Sequence, residues 1–553
     1  MTEPTAPSAA GPSPCARGYP DAASNPTPNG SGVRPPAPKT FAPDALAVDA
    51  TQDVRIGPDT YLRCEQVEAL AHTERPDLRL SETGREVLRK SHATLGDLMA
   101  AGAPIYGITT GFGPLVRYPS AGDGGSSHGA GLIAHLGAGC GPLAPAPVVR
   151  ATMIARAQAV AQGYSGLCPD VLVQYLHVLR RGLVPAVPTI GSVGASGDLI
   201  PLAHIARVLT GEGQILEDGV ARPAAPALRA AGLSVTDLSG RDALALVNGT
   251  SFMTAYAALA LARAQRLVSR AEALTAWIYQ ALSATSQALA PRLHQARGHA
   301  GQRASAAAIR RTLDTLGGPP AQGRHLQEIY SIRCAPQILG ACRDQMDYAR
   351  RMVETELNGV NDNPVFCPAS EEGPACALHG GNFQGQQIAF AADALNAALT
   401  QTALLAERQL DALLTPSVNG GAPLLLAWTP GATSGLAGAQ ITATALAAEM
   451  RTATQAYGVS SIPTNGGNQD IVSMGTLAAR RAYEQTDRLA HVLATLGLAL
   501  AQLHALRTAG RADGPEPPPP PWMPAFEPIV HDRPLRAEVE QLATAWMAPG
   551  PRP

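Results

Sequence analysis

The chain has 553 residues, 16% charged and 4% aromatic, with a formal net charge of −2. A near-neutral balance with no basic run interleaved with aromatics excludes the electrostatic footprint of a nucleic-acid binder. Eight cysteines without a C-x-x-C or other paired-ligand spacing point to neither a metal site nor a disulfide framework, and they read as reduced, mostly buried thiols of a cytoplasmic protein. The length exceeds one ordinary core, and the low charged fraction predicts helix surface covered by neighbouring subunits. A homo-oligomer of extended helical architecture is the expectation.

In chain order, residues 1–45 are rich in Pro, Ala, Gly and Ser and read as a disordered tail. The first residues lack a basic start followed by an apolar run, so no secretory signal is expected. Helices are predicted in "LRCEQVEALAHTE" and in "SETGREVLRKSHATLGDLMAAG", the second capped by Ser81. At 191–206, "GSVGASGDLIPLAHIA" places a glycine at every third position and then turns helical, with Asp198 as the cap. The spacing fits neither the P-loop nor the dinucleotide fingerprint. A small hairpin is predicted in "GEGQILEDGVAR", residues 211–222.

Long 3.6-residue patterns follow at 252–288, 384–414, 434–456 and 474–508. The apolar stretch 491–506 is too short for a comfortable membrane span and reads as a core helix. "GPEPPPPPW" (514–522) is expected to be an extended spacer outside the bundle, leading to a short helix in "LRAEVEQLATAWM". The predicted class is all-α: an elongated bundle of long helices with a smaller N-terminal region. The units are a tail (1–45), an N-terminal domain (46–250), a central bundle (251–510) and a Pro-rich spacer with a terminal helix (511–553).

Seven strings in fixed order carry a resemblance: "YGITTGFGPL", "GSVGASGDLIPLAHIA", "ALVNGTS", "YSIRCAPQILGA", "ELNGVNDNPVF", "HGGNFQGQ" and "NGGNQDIVSMG". Together they resemble the aromatic amino acid lyase family, which comprises the histidine-, phenylalanine- and tyrosine-using ammonia-lyases and related aminomutases. The terminal "DRPLRAEVEQLAT" resembles the bacterial tyrosine-using members. The resemblance implies a fumarase/aspartase-like helical fold, although the G-S-S-x-M-P-x-K-x-N loop of those enzymes is absent. It also implies a homotetramer whose sites are each assembled from several subunits, with no membrane partner, no metal and no external cofactor.

By the same resemblance, Ala195, Ser196 and Gly197 cyclise into a methylidene-imidazolone electrophile with loss of two waters. The residue types suit this: Gly197 lacks a Cβ, so its nitrogen can approach a backbone carbon, and Ser196 supplies the hydroxyl that leaves. If the ring lies at the start of the helix after Asp198, the helix dipole favours electron density moving into it. Tyr106 is implied as the base. A free phenol has a pKa of about 10, so activation by positive potential or donors is expected, on a mobile loop with Gly107, Gly111 and Gly113.

Arg333 is implied to bind the substrate carboxylate, with Tyr330 one turn before it facing the same cavity. Asn248 is expected near the amine and carboxylate, and Asn382 and Phe383 along the pocket. Asn465 and Gln469 are expected to hold the electrophile or the amine, and Gly113 and Leu199 to contact substrate. Gln469 stands where histidine-using members carry glutamate, and His135-Leu136 matches the pair that tyrosine-using members place against the ring. The implied reaction converts L-tyrosine to trans-p-coumarate and ammonia. The alternatives are a tyrosine 2,3-aminomutase, a phenylalanine-using lyase, or a non-catalytic helical scaffold. Gly131 stands where an asparagine is usual, so the start of the His135 helix is expected to be looser.

Overall fold

The computed structural model describes residues 54–120, 126–319, 323–371, 373–509 and 519–550. The expected tail (1–45) and residues 514–518 of the proline run lie outside them. Helix dominates. The expected long segments appear as Ser251–Ala281, Gln386–Leu414, Ala437–Thr452 and Gly475–Ala509. A fifth long helix, Ala335–Leu357, was not anticipated. Its charged outer face masks an inward stripe of Leu339, Cys342, Met346, Ala349, Val353 and Leu357 at helical spacing.

Ser251–Ala281 and Gly475–Ala509 form the centre, because both are buried on nearly every side and alanine lets their axes approach. Gly475–Ala509 packs against both Ser251–Ala281 and Gln386–Leu414. At 1.5 Å per residue, the 31 residues of Ser251–Ala281 extend about 46 Å. One connected apolar core runs from Ile56 to Trp546. Ser251–Ala281 stops short of residue 288 because Ser283 takes a φ of 50° and Ala284 N–H closes back on Tyr279 O.

The stretch 491–506 belongs to the 35-residue Gly475–Ala509, so length alone does not exclude a membrane span; burial of 78% of its most apolar window makes it a core helix. Ser81 caps Glu82–Ala100 as expected, its hydroxyl accepting from Gly84 N–H. The hairpin is Gln214–Glu217 paired with Val220–Pro223. Arg536–Met547 is the terminal helix, and Trp522, at the end of the proline run, packs edge-on to Trp277 of the bundle at 5.9 Å rather than standing clear of it. Among the described residues no disulfide forms. Of the cysteines described, Cys64 and Cys342 are buried, fewer than expected, and Cys140 is exposed.

Candidate active site

The glycine-rich loop is folded onto a second glycine. Gly194 and Gly197 adopt φ of 69° and 65°. Gly197 pairs with both Ala195 and Gly249 in isolated bridges, and Asp198 N–H donates to Gly249 O at 2.7 Å. A Cβ on Gly197 would lie 2.2 Å from that carbonyl oxygen, and one on Gly249 would lie 2.1 Å from Arg156 Nη1. Neither position admits a side chain, so the backbones of 195–197 and 249 stay in contact. The Ser196 hydroxyl accepts from Gln469 Nε2 at 3.0 Å.

Asp198 does not cap its own helix, Leu199–Leu209. Its Oδ2 accepts Met253 N–H at 2.8 Å, and its Oδ1 accepts the hydroxyls of Ser192, at 2.9 Å, and Thr476. The carboxylate is drawn to the starts of the two central helices, where free N–H groups and the positive dipole end converge. The loop therefore sits at three helix N-termini, a region of positive potential suited to an electrophile.

Burial pushes the Asp198 carboxyl up to about 6, against the pull of its donors. The folded chain thus binds this proton more tightly than the unfolded chain, whose carboxyl stays near 3.8. That stabilisation is complete below 3.8 and is lost as pH rises through about 6. Asp198→Asn is expected to flatten the fall of melting temperature between about pH 4 and pH 6, read from thermal scans across that window. An unchanged slope would show that Asp198 is not the titrating group.

Behind the loop lies a buried charge cluster that sequence reasoning missed. Asp362 sits between Arg241 and Arg156, the latter at 3.5 Å, and all three side chains are nearly inaccessible. Arg156 also donates to Asn361 Oδ1 and Ala245 O, both at 2.9 Å. Removing one partner of such a pair typically costs about 3–5 kcal/mol. Asn248 Nδ2 donates to Asn363 O at 2.8 Å and Asp362 Oδ1 at 3.2 Å. Both amide protons are committed, so Asn248 can meet an ammonium through its oxygen but cannot donate to a carboxylate. Glu356 accepts the Thr250 hydroxyl and is pushed upward by burial, with Asp198 adding a smaller push.

On the other side stands Tyr106. Its phenol oxygen accepts Gly113 N–H at 2.7 Å, and its backbone N–H donates to His379 Nε2 at 3.1 Å. Phe112 meets its ring edge-on and stacks on His128 at 4.4 Å. Burial raises the Tyr106 pKa above the ordinary phenol range, and the Gly113 N–H only partly offsets this. The expected activation is therefore not built within one chain. The turn Gly113–Arg117 packs against Asn465–Gly467, joining the Tyr106 loop to the segment carrying Gln469. Asn465 itself is exposed, with a φ of 50°.

His135 ends the helix Ser126–His135, which packs on Leu199–Leu209 and Gly240–Val247. Its Nδ1–H donates to Gly131 O at 3.0 Å. That bond fixes the tautomer and leaves Nε2 as an acceptor. The ring is exposed, whereas Leu136 is buried. Leu199 is half-buried at the first turn of its helix. Residues 121–125, ahead of this helix, lie outside the described set. Asn382 and Phe383 precede Gln386–Leu414, close to the loop: Gly380 N–H donates to Asn363 Oδ1 at 2.7 Å, and a Cβ on Gly385 would touch Met253 Sδ.

Two expected residues are elsewhere. Arg333 stacks over the Tyr330 ring at 4.7 Å, so the pair is together as expected, and among the described residues its buried Nε has no partner. Tyr279 OH donates to Ile332 O at 3.2 Å, which places this pair at the far end of Ser251–Ala281. The glycine-rich loop is anchored at Met253, about 26 residues back, or roughly 39 Å along a straight helix. Tyr330 is 70% exposed. Within one chain, Arg333 and Tyr330 cannot reach a substrate held at Ser196.

A model of the aromatic amino acid lyases matches residues 62–518. The chain is 41% identical to the tyrosine ammonia-lyase of Cereibacter sphaeroides over 517 residues, 89% of this chain and 97% of that protein. It is 39% identical to the MIO-dependent tyrosine 2,3-aminomutase of Streptomyces globisporus over 78% of this chain and 82% of that protein. The crystal structure of a tyrosine aminomutase from Streptomyces globisporus superposes with a TM-score of 0.81 at 35% identity, covering 89% of this chain and 97% of that one.

Proposed function

We propose, from the premise that this chain belongs to the aromatic amino acid lyase family and is a carbon–nitrogen lyase, that it eliminates ammonia from L-tyrosine and releases trans-p-coumarate. The observation that carries the reading is the 195–197 turn: Gly197 is pressed onto Gly249, and the Ser196 hydroxyl is held by Gln469. A ring closing between Gly197 nitrogen and the Ala195 carbonyl fits that compressed backbone, and no external cofactor is needed. Once formed, such a methylidene-imidazolone supplies an electrophile for the amine, making a poor leaving group a good one. Tyr106 would take the β-proton as the carbon–carbon double bond forms, and the Asn248 oxygen would orient the ammonium. A partner subunit would bring Arg333 to the carboxylate and Tyr330 beside it, and would complete the surroundings that activate Tyr106. The roughly 39 Å between the two sets supports sites shared between subunits, and a homotetramer is the assembly we propose for them.

His135 Nε2, left as an acceptor, suits a tyrosine hydroxyl. Replacing His135 with Phe is expected to lower the ratio of kcat/KM for tyrosine over phenylalanine by about 10²-fold or more. An unchanged ratio would remove this residue from substrate selection. Similarity to an aminomutase favours a second reading, in which ammonia returns to the β-carbon before the product leaves. Product analysis with L-tyrosine separates them: p-coumarate without β-tyrosine is expected, and accumulating β-tyrosine would overturn the lyase.

A further inference from the structure

Arg270, on Ser251–Ala281, is only 9% exposed and lies between two indoles, 4.6 Å from the Trp522 ring centre and 4.8 Å from that of Trp546. Among the described residues neither its Nε nor its Nη1 has a hydrogen-bond partner, and no carboxylate acts on it; burial alone displaces its pKa, down to about 10. A guanidinium stays charged at neutral pH, so among the described residues this is a buried cation without a counter-charge, normally a costly state. The other nearly inaccessible arginines, Arg156 and Arg241, both face Asp362. One turn before Arg270, Arg266 has a counter-charge: it grips Glu68 through both terminal nitrogens and takes the Met547 carbonyl, each contact at 2.6 Å, and only its Nε has no partner among the described residues.

A cavity of about 220 Å³ opens beside the pair, lined by both arginines, by Trp546 and by the small residues Ala545, Ala548 and Gly550. Arg266 occupies the Met547 carbonyl, so this group at the end of Arg536–Met547 presents less negative charge to the cavity. The indole walls are apolar. Among the described residues, what the cavity lacks is an acceptor of hydrogen bonds bearing negative charge.

We propose that this cradle binds the oxyanion group, carboxylate or phosphate, of a small soluble molecule, with Arg270 as its charge partner. The site is separate from the glycine-rich loop, since Arg270 lies about 17 residues beyond Met253, roughly 25 Å along the helix. It does not depend on the proposed reaction. A planar guanidinium takes either group in bidentate fashion, and low local dielectric strengthens the contact.

Equilibrium dialysis on the full-length Arg333→Gln protein, in which the arginine expected to bind substrate is removed, tests the site with two probes, benzoate and inorganic phosphate, at fixed ionic strength set by chloride. One anion per chain is expected, with a melting temperature raised by about 1–2 °C at saturation but not in chloride. Binding of benzoate alone identifies a carboxylate ligand, and of phosphate alone a phosphate ligand. Arg270→Met should weaken binding by tenfold or more. Because that change also removes two indole contacts, Ala545→Glu on the exposed side of the cavity is the second variant. Its new carboxylate should fill the cradle, abolish binding of the added anion and raise the melting temperature of the unliganded chain. Failure of both probes to bind, or binding unaffected by Ala545→Glu, overturns the proposal, and Arg270 is then only a clamp between two tryptophans.

Discussion

Ser196→Ala is expected to give a chain that folds and assembles, weighs what its formula predicts, and releases ammonia about 10³-fold more slowly or worse. The unaltered protein should be lighter than its formula by two waters. The prediction separates chemistry from folding because the Ser196 hydroxyl, which is gone once the ring has formed, makes one side-chain contact in the uncyclised chain, with the Gln469 amide. Losing such a bond at a half-buried site costs about 1 kcal/mol. The melting temperature should therefore move little while activity collapses. Intact-mass measurement and ammonia release on the same preparations decide it. A wild-type mass equal to the formula would end the electrophile reading, and so would a Ser196→Ala chain that retained activity.

Mixed assemblies of Ser196→Ala and Arg333→Gln chains should recover activity that neither shows alone. The first variant keeps the arginine and the second keeps the electrophile loop, and the bundle holds these features at opposite ends of one helix. If subunits meet head to tail, random mixing restores about a quarter of the sites. Co-expression with two affinity tags and purification through both yields the hybrids to be assayed. If hybrids bearing both tags are as silent as the parents, then Arg333 does not act across a subunit boundary.

The long helices were legible because buried apolar residues repeat with helical period over many turns, as in Gly475–Ala509. Ala335–Leu357 was missed because charged and polar residues interrupt an apolar stripe that is only one residue wide. Motif residues of the glycine-rich loop were legible and their support was not. Arg156 meets Asn361 across 205 positions, and Asn248 meets Asp362 across 114. Pairing at that separation leaves no local periodicity. The cue available was a charged residue inside an apolar run, as with Arg156 in "MIARAQAV"; Asp362, in the polar "ELNGVNDNPVF", offered no such cue. Asp198 looked like a cap for its own helix because sequence places it there; tertiary packing assigned it to two others.

The contact between Gly197 and Gly249 has a practical bearing on directed evolution. Neither position tolerates a methyl group, so a randomised library that includes either codon spends almost all its members on dead variants. Freezing both and diversifying His135, Leu136 and Phe383 instead directs sampling to positions where altered shape can be inherited without dismantling the backbone.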